Sequence, residues 1–154
     1  MPSSPDVRSL SLRDQLDKLI IPDLSDGKIE EITADQVKLL MDKFSNLAMM
    51  MAHIESYADT DEGRRELSEL GEQTVKNIKD IRERINRSNP QEILEFRQKF
   101  LKWLPQQLRY TLGVLKKYYF ASEKYKAECV KWQRDPNKLP PSLEGVLDAY
   151  AKIS

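Results

Sequence analysis

A chain of 154 residues, 40% hydrophobic and 32% charged, is long enough to bury a core without disulfides or metals and too apolar to stay disordered. Five glycines are too few for a turn-rich β protein, so helix is favoured before any pattern is read. One cysteine, Cys129, excludes an internal disulfide, and with the single His53 it leaves too few ligands for structural zinc.

Residues 1–10 contain Pro2, Pro5 and three serines with few large apolar side chains, which predicts a flexible N-terminal segment ahead of one domain over 11–154. This start has no basic, apolar and small-residue order of a secretory signal. No stretch reaches the roughly 18 to 20 apolar residues of a membrane span. With a lone thiol, the expectation is a cytoplasmic protein without a transmembrane segment.

Ser11 and Asp14 predict a short helix with Leu12, Leu16, Leu19 and Ile20 on one face, ended by Pro22. Asp23 to Ile32 reads as a loop turning at a left-handed Gly27. Its Asp-Gly-Lys-Ile core resembles the middle of an EF-hand loop, but Pro22, Leu24 and Thr33 then fall at ligand positions, so calcium is not expected.

Thr33 and Gln36 form a capping box before Val37, Leu40, Phe44, Leu47, Met51, Ile54 and Ala58, an a/d seam held over three heptads until Asp59–Gly63 breaks it. A second helix is predicted from Glu62 to Arg87, with Leu67, Leu70, Thr74, Ile78, Ile81 and Ile85 inward and charged residues outward. The short connection predicts an antiparallel αα-hairpin.

Asn89-Pro90-Gln91-Glu92 is a strong helix start, with a capping Asn, Pro in the first turn and an acid at the positive dipole end. The helical pattern then continues to Arg134, about 67 Å if straight, which exceeds a compact domain of this size. Pro105 removes the backbone bond to Leu101, so a kink or break is predicted there, giving helices 90–104 and 106–133. Asp135–Pro141 reads as a stiff connection, and Ser142 caps a last helix bearing Leu143, Val146, Leu147 and Tyr150. The predicted fold is all-α, an up-down bundle of three to four long helices with a short helix at each end.

Catalytic constellations are missing from this pattern. His53 falls off the buried stripe, Cys129 reads as a small core residue, and the Glu-x-x-His motifs of di-iron bundles do not occur. The five glycines are isolated, so no phosphate-cradling loop forms from them. No enzyme activity, metal or cofactor is expected.

Charge is unevenly spread. Residues 1–58 carry 6 Lys/Arg against 10 Asp/Glu, whereas residues 90–134 carry 10 against 4. The two segments are expected to face each other in the fold. Within 99–134, basic and aromatic residues interleave, and a helical wheel cannot bury all the aromatics at once. Arg109, Tyr110, Lys117, Tyr118, Lys124, Tyr125 and Trp132 therefore form the candidate contact face, with residue types enriched at interface hot spots. The expected function is that of a non-catalytic adaptor, regulatory or assembly protein that binds another protein. The long coiled-coil-like seams are equally compatible with a homodimer. RNA or DNA binding through the same basic segment is the alternative, opposed by a pI of about 6.6 where a nucleic-acid domain is usually above about 9.

Overall fold

The computed structural model describes residues 11–87 and 89–153, and every regular element among them is helical. The segment 1–10, expected to be flexible, lies outside the described residues. Among those residues no helix is long and apolar enough to cross a membrane.

Helix α1 (Leu12–Asp17) starts where the Ser11 hydroxyl accepts the Asp14 N–H at 3.2 Å. It ends earlier than its apolar pattern suggests. Leu12 and Leu16 are buried, but Leu19 and Ile20, expected on the same face, are exposed, Ile20 by 85%. Ile21 takes the inward position instead. Asp23–Ile32 is not a plain loop. The Ser25 hydroxyl accepts the Lys28 N–H at 3.3 Å and opens α2 (Asp26–Glu31), which buries Ile29. Gly27 lies inside this turn of helix, and no described glycine has a positive φ, so the left-handed turn expected there does not form.

Helix α3 (Ala34–Met51) begins with the reciprocal cap: Thr33 Oγ1 accepts the Gln36 N–H at 3.2 Å and Gln36 Oε1 accepts the Thr33 N–H at 2.9 Å. Val37, Leu40, Phe44, Leu47, Met51, Ile54 and Ala58 are all buried, as the heptad spacing predicts. The helix itself stops at Met51, short of the predicted Asp59. Ile54 and Ala58 reach the core through a 3-10 turn at Glu55–Tyr57.

Helix α4 (Asp61–Arg87) runs antiparallel to α3. Gly71 lies against the Met51 carbonyl, Arg82 donates to the Ser45 hydroxyl, and Ile78, Ile81 and Ile85 share a groove with Val37 and Met41. Helix α5 (Pro90–Val114) is capped by Asn89, whose Oδ1 accepts the Glu92 N–H at 2.9 Å. It packs back along α4, with Arg84 over the Phe96 ring and Tyr118, just past its end, against Gly63.

The predicted break at Pro105 is not found. Helix α5 continues through Pro105, which is itself buried between the buried Leu101, Leu104 and Leu108, so side-chain packing holds the segment where one backbone bond is lost. The break falls later. A π turn at Leu115–Tyr119 closes with the Phe120 N–H donating to the Leu115 carbonyl at 2.9 Å, and Ser122 then caps α6 (Glu123–Lys131) by accepting the Tyr125 N–H at 3.1 Å. The expected helix 106–133 is thus divided between α5, the π turn and α6.

Helix α7 (Pro141–Ile153) buries Leu143, Val146, Ala149, Tyr150 and Ile153. It lies along α3, where the Ser142 hydroxyl donates to Met50 Sδ at 3.0 Å and Gly145 faces Lys43. Helix α3 is therefore central, flanked by α4 and α7, with the Trp103 ring of α5 edge-on to Phe44 at 5.7 Å.

Candidate functional site

Lys102, Arg109 and Lys116 recur every seven residues, which places them on one stripe of α5 and its π continuation. Each meets an aspartate of the N-terminal segment, in reversed order: Lys102 with Asp26 at 2.8 Å, Arg109 with Asp23 at 3.1 Å, and Lys116 with Asp17. The segment 12–31 is thus a strap lying antiparallel to α5. Arg109 also donates to the Ile21 carbonyl, the Tyr150 hydroxyl donates to the Pro22 carbonyl, and Gln15 Nε2 donates to the Asn137 carbonyl at 2.7 Å. The acidic and basic segments face each other, as their opposite charges predict. Surface pairs of this kind contribute about 0–1 kcal/mol each, so burial of Leu12, Leu16, Ile21 and Ile29 is the larger part of what holds the strap.

Beyond the strap, the chain closes on a cluster of rings. Tyr119 lies 4.8 Å from Tyr125, 5.1 Å from Phe120 and 5.1 Å from Tyr57 between centroids, in tilted and edge-on arrangements that aromatic quadrupoles favour. Ser122 builds this local structure by capping α6, which turns Tyr125 and Cys129 inward. Tyr125 was expected on the contact face. It is 1% exposed and belongs to the core.

Burial pushes the Tyr119 phenol up to about 12. Burial and the Glu128 carboxylate, which accepts its hydrogen bond, raise Tyr57; burial and the adjacent Cys129 thiol raise Tyr125. Burial, then Asp23, raises Tyr150 in the same direction. A phenol raised on folding stabilises the native state fully below its unfolded value of 10.0 and loses that contribution as pH rises through the folded value. Stability is therefore expected to hold up to about pH 10 and to fall steeply between 10 and 12. Urea midpoints measured across that window test this; a midpoint unchanged to pH 12 would place these phenols in water.

The remaining members of the predicted face make different contacts. Arg109 is committed to the strap. Tyr118 is half-buried against Gly63, at the start of α4, and Lys117 lies over its ring at 5.0 Å. That contact, a hydrogen bond foremost, raises the Lys117 pKa. Lys124 lies over the Tyr57 ring at 5.2 Å and donates to the Ser56 carbonyl at 3.4 Å. Tyr110 on α5 is 49% exposed, and Trp132, the residue closing α6, is 52% exposed.

Sequence reasoning missed Val130, which is 77% exposed although it directly follows the buried Cys129. Its signal was present: in α6 the buried Tyr125 and Cys129 are four apart, so position 130 must point away from them. The outer side of α6 thus presents Lys124, Lys126, Val130 and Lys131, finished by Trp132. No protein-family model matches this chain, and no curated protein or solved structure matches it either.

Proposed function

We propose that this protein is a non-catalytic adaptor, regulatory or assembly protein that binds another protein through the outer side of α6. In this reading α3, α4, α5 and α7 form an up-down bundle that serves as the scaffold. The observation that carries it is the pair Val130 and Trp132, large apolar side chains left in solvent on a turn whose inner side is anchored by Tyr125 and Cys129. An exposed tryptophan is among the residue types most enriched where binding energy concentrates. Lys124, Lys126 and Lys131 surround it against the single exposed carboxylate of Glu123, so the matching partner presents an apolar pocket with an acidic rim.

Nucleic acid binding is the lesser reading, because Lys102, Arg109 and Lys116 already pair with aspartates of the same chain. A photo-crosslinking residue introduced at the exposed Ala127 and, as control, at the exposed Gln73 tests the proposal in cells. The expected result is a discrete protein adduct from position 127 alone, lost on Val130→Asp with Trp132→Ala. Equal adducts from both positions, or an adduct indifferent to that double substitution, would reject the α6 surface. A second copy of the chain is one partner that the adduct mass identifies directly.

A further inference from the structure

A cleft of about 700 Å³ lies where four separated stretches of chain converge: the start of α1, the π turn, the first turn of α6 and the Pro136–Asn137 loop. Four cationic side chains line it, Arg13, Lys116, Lys117 and Lys126, above an apolar floor that includes Leu12 and Phe120. No carboxylate is among its lining residues.

The nearby acids are engaged around its edge. Asp14 faces the Ser11 hydroxyl at 2.8 Å, Asp17 pairs with Lys116, and Glu123 lies 3.7 Å from Lys126. Lys117 is held over the Tyr118 ring and also feels Glu62 and Glu66. Arg13 has no ion-pair partner among the described residues. The Gln15–Asn137 hydrogen bond and the Asp17–Lys116 pair tie the start of α1 to the Pro136–Asn137 loop and to the π turn, the elements that form its walls.

We propose that this cleft is a binding site for a compact polyphosphate anion, from pyrophosphate to a nucleoside triphosphate in size. Its volume falls within the roughly 300–1,000 Å³ of small-molecule sites. Arg13 and Lys117 form no ion pair among the described residues, and an anion with two or more phosphates can meet both while reaching Lys116 and Lys126 beside their existing carboxylates. A single phosphate spans fewer of these cations. The site shares Lys126 with the rim of the α6 protein contact but neither Val130 nor Trp132, so Arg13→Glu and Trp132→Ala separate the two.

The test is a titration of the full chain with pyrophosphate at constant ionic strength, read by calorimetry and by the melting temperature, with sodium chloride and orthophosphate as matched controls. The expected result is saturable binding of pyrophosphate that raises the melting temperature and exceeds orthophosphate. Arg13→Glu and Lys126→Glu should each weaken it by about tenfold or more, as loss of a charge-assisted contact requires. Trp132→Ala should leave it unchanged. If Arg13→Glu loses helical circular dichroism, Lys126→Glu alone decides the outcome. A melting shift equal for all salts at matched ionic strength would reduce the effect to screening and overturn the site. Tighter binding of a short single-stranded oligonucleotide, with pyrophosphate inert, would overturn it in favour of an extended nucleic-acid path.

Discussion

Gly71→Ala should lower the melting temperature by about 5–10 °C, corresponding to about 2–3 kcal/mol of lost stability for a chain of this size. A Cβ at position 71 would lie 2.3 Å from the Met51 carbonyl oxygen and 3.2 Å from its carbon, both backbone atoms that cannot rotate aside. Either the end of α3 or the middle of α4 must move, and both carry fully buried side chains, Met51 on one and Leu67 and Leu70 on the other. Helix propensity alone argues the opposite sign, since Ala is better than Gly in a helix interior by about 1 kcal/mol. Gly113→Ala is the control: nothing lies within 4 Å of a Cβ there, so it should stabilise by about 0.5–1 kcal/mol. Thermal melts followed by circular dichroism separate the two. Stabilisation by both alanines would show that α3 and α4 do not approach as closely as described.

Tyr125→Ala should cost about 3–5 kcal/mol of folding stability, the range of a large aromatic removed from a packed core. Its ring touches Tyr119 and Phe120, at 4.8 and 5.4 Å between centroids, and its backbone N–H receives the Ser122 cap. Tyr125→Phe keeps the ring and should cost less than about 1.5 kcal/mol. Trp132→Ala, seven residues on and exposed, should change stability by less than about 0.5 kcal/mol. Denaturant unfolding of the three variants decides whether the interleaved aromatics of this segment divide between core and surface in this way. Equal and small effects at 125 and 132 would return Tyr125 to the surface.

The burial pattern of α3 and α4 was legible because three- and four-residue spacing is a local property: the positions on that spacing, Val37 to Met51 and Leu67 to Ile85, are buried or half-buried, while Leu39, Met49 and Val75 off it are exposed. Where the helices end was less legible. Ile54 and Ala58 keep the seam's spacing and are buried while sitting beyond the helix, one on each side of the 3-10 turn at Glu55–Tyr57. Pro105 does not end the helix, for a different reason. The cost of a missing backbone bond is local and visible in sequence, whereas the packing of Leu101, Leu104 and Leu108 that offsets it is tertiary. Ser122, an ordinary N-cap in an apolar stretch, marks the true break.

The predicted contact face was partly legible for the same reason. A wheel drawn for one continuous helix over 106–133 puts Tyr125 outside. Once the π turn and the break at Phe120–Ser122 reset the phase, Tyr125 turns in and Val130 turns out. The charge of Arg109 is engaged by Asp23 and the Ile21 carbonyl, partners 86 and 88 residues away in sequence. The heptad spacing of Lys102, Arg109 and Lys116 against an acidic N-terminal third was the available sign of this strap.

Trp132 fluorescence provides the most direct measurement of the proposed α6 contact. Trp103→Phe leaves Trp132 as the sole tryptophan and retains an aromatic ring beside Phe44 and Phe100. Addition of the partner captured through position 127 should shift Trp132 emission to the blue and protect it from iodide quenching, with binding weakened by about thirtyfold or more in Val130→Asp, as expected for a hot-spot change of about 2 kcal/mol. Partner binding that leaves Trp132 emission and quenching unchanged would contradict a contact surface on the outer side of α6.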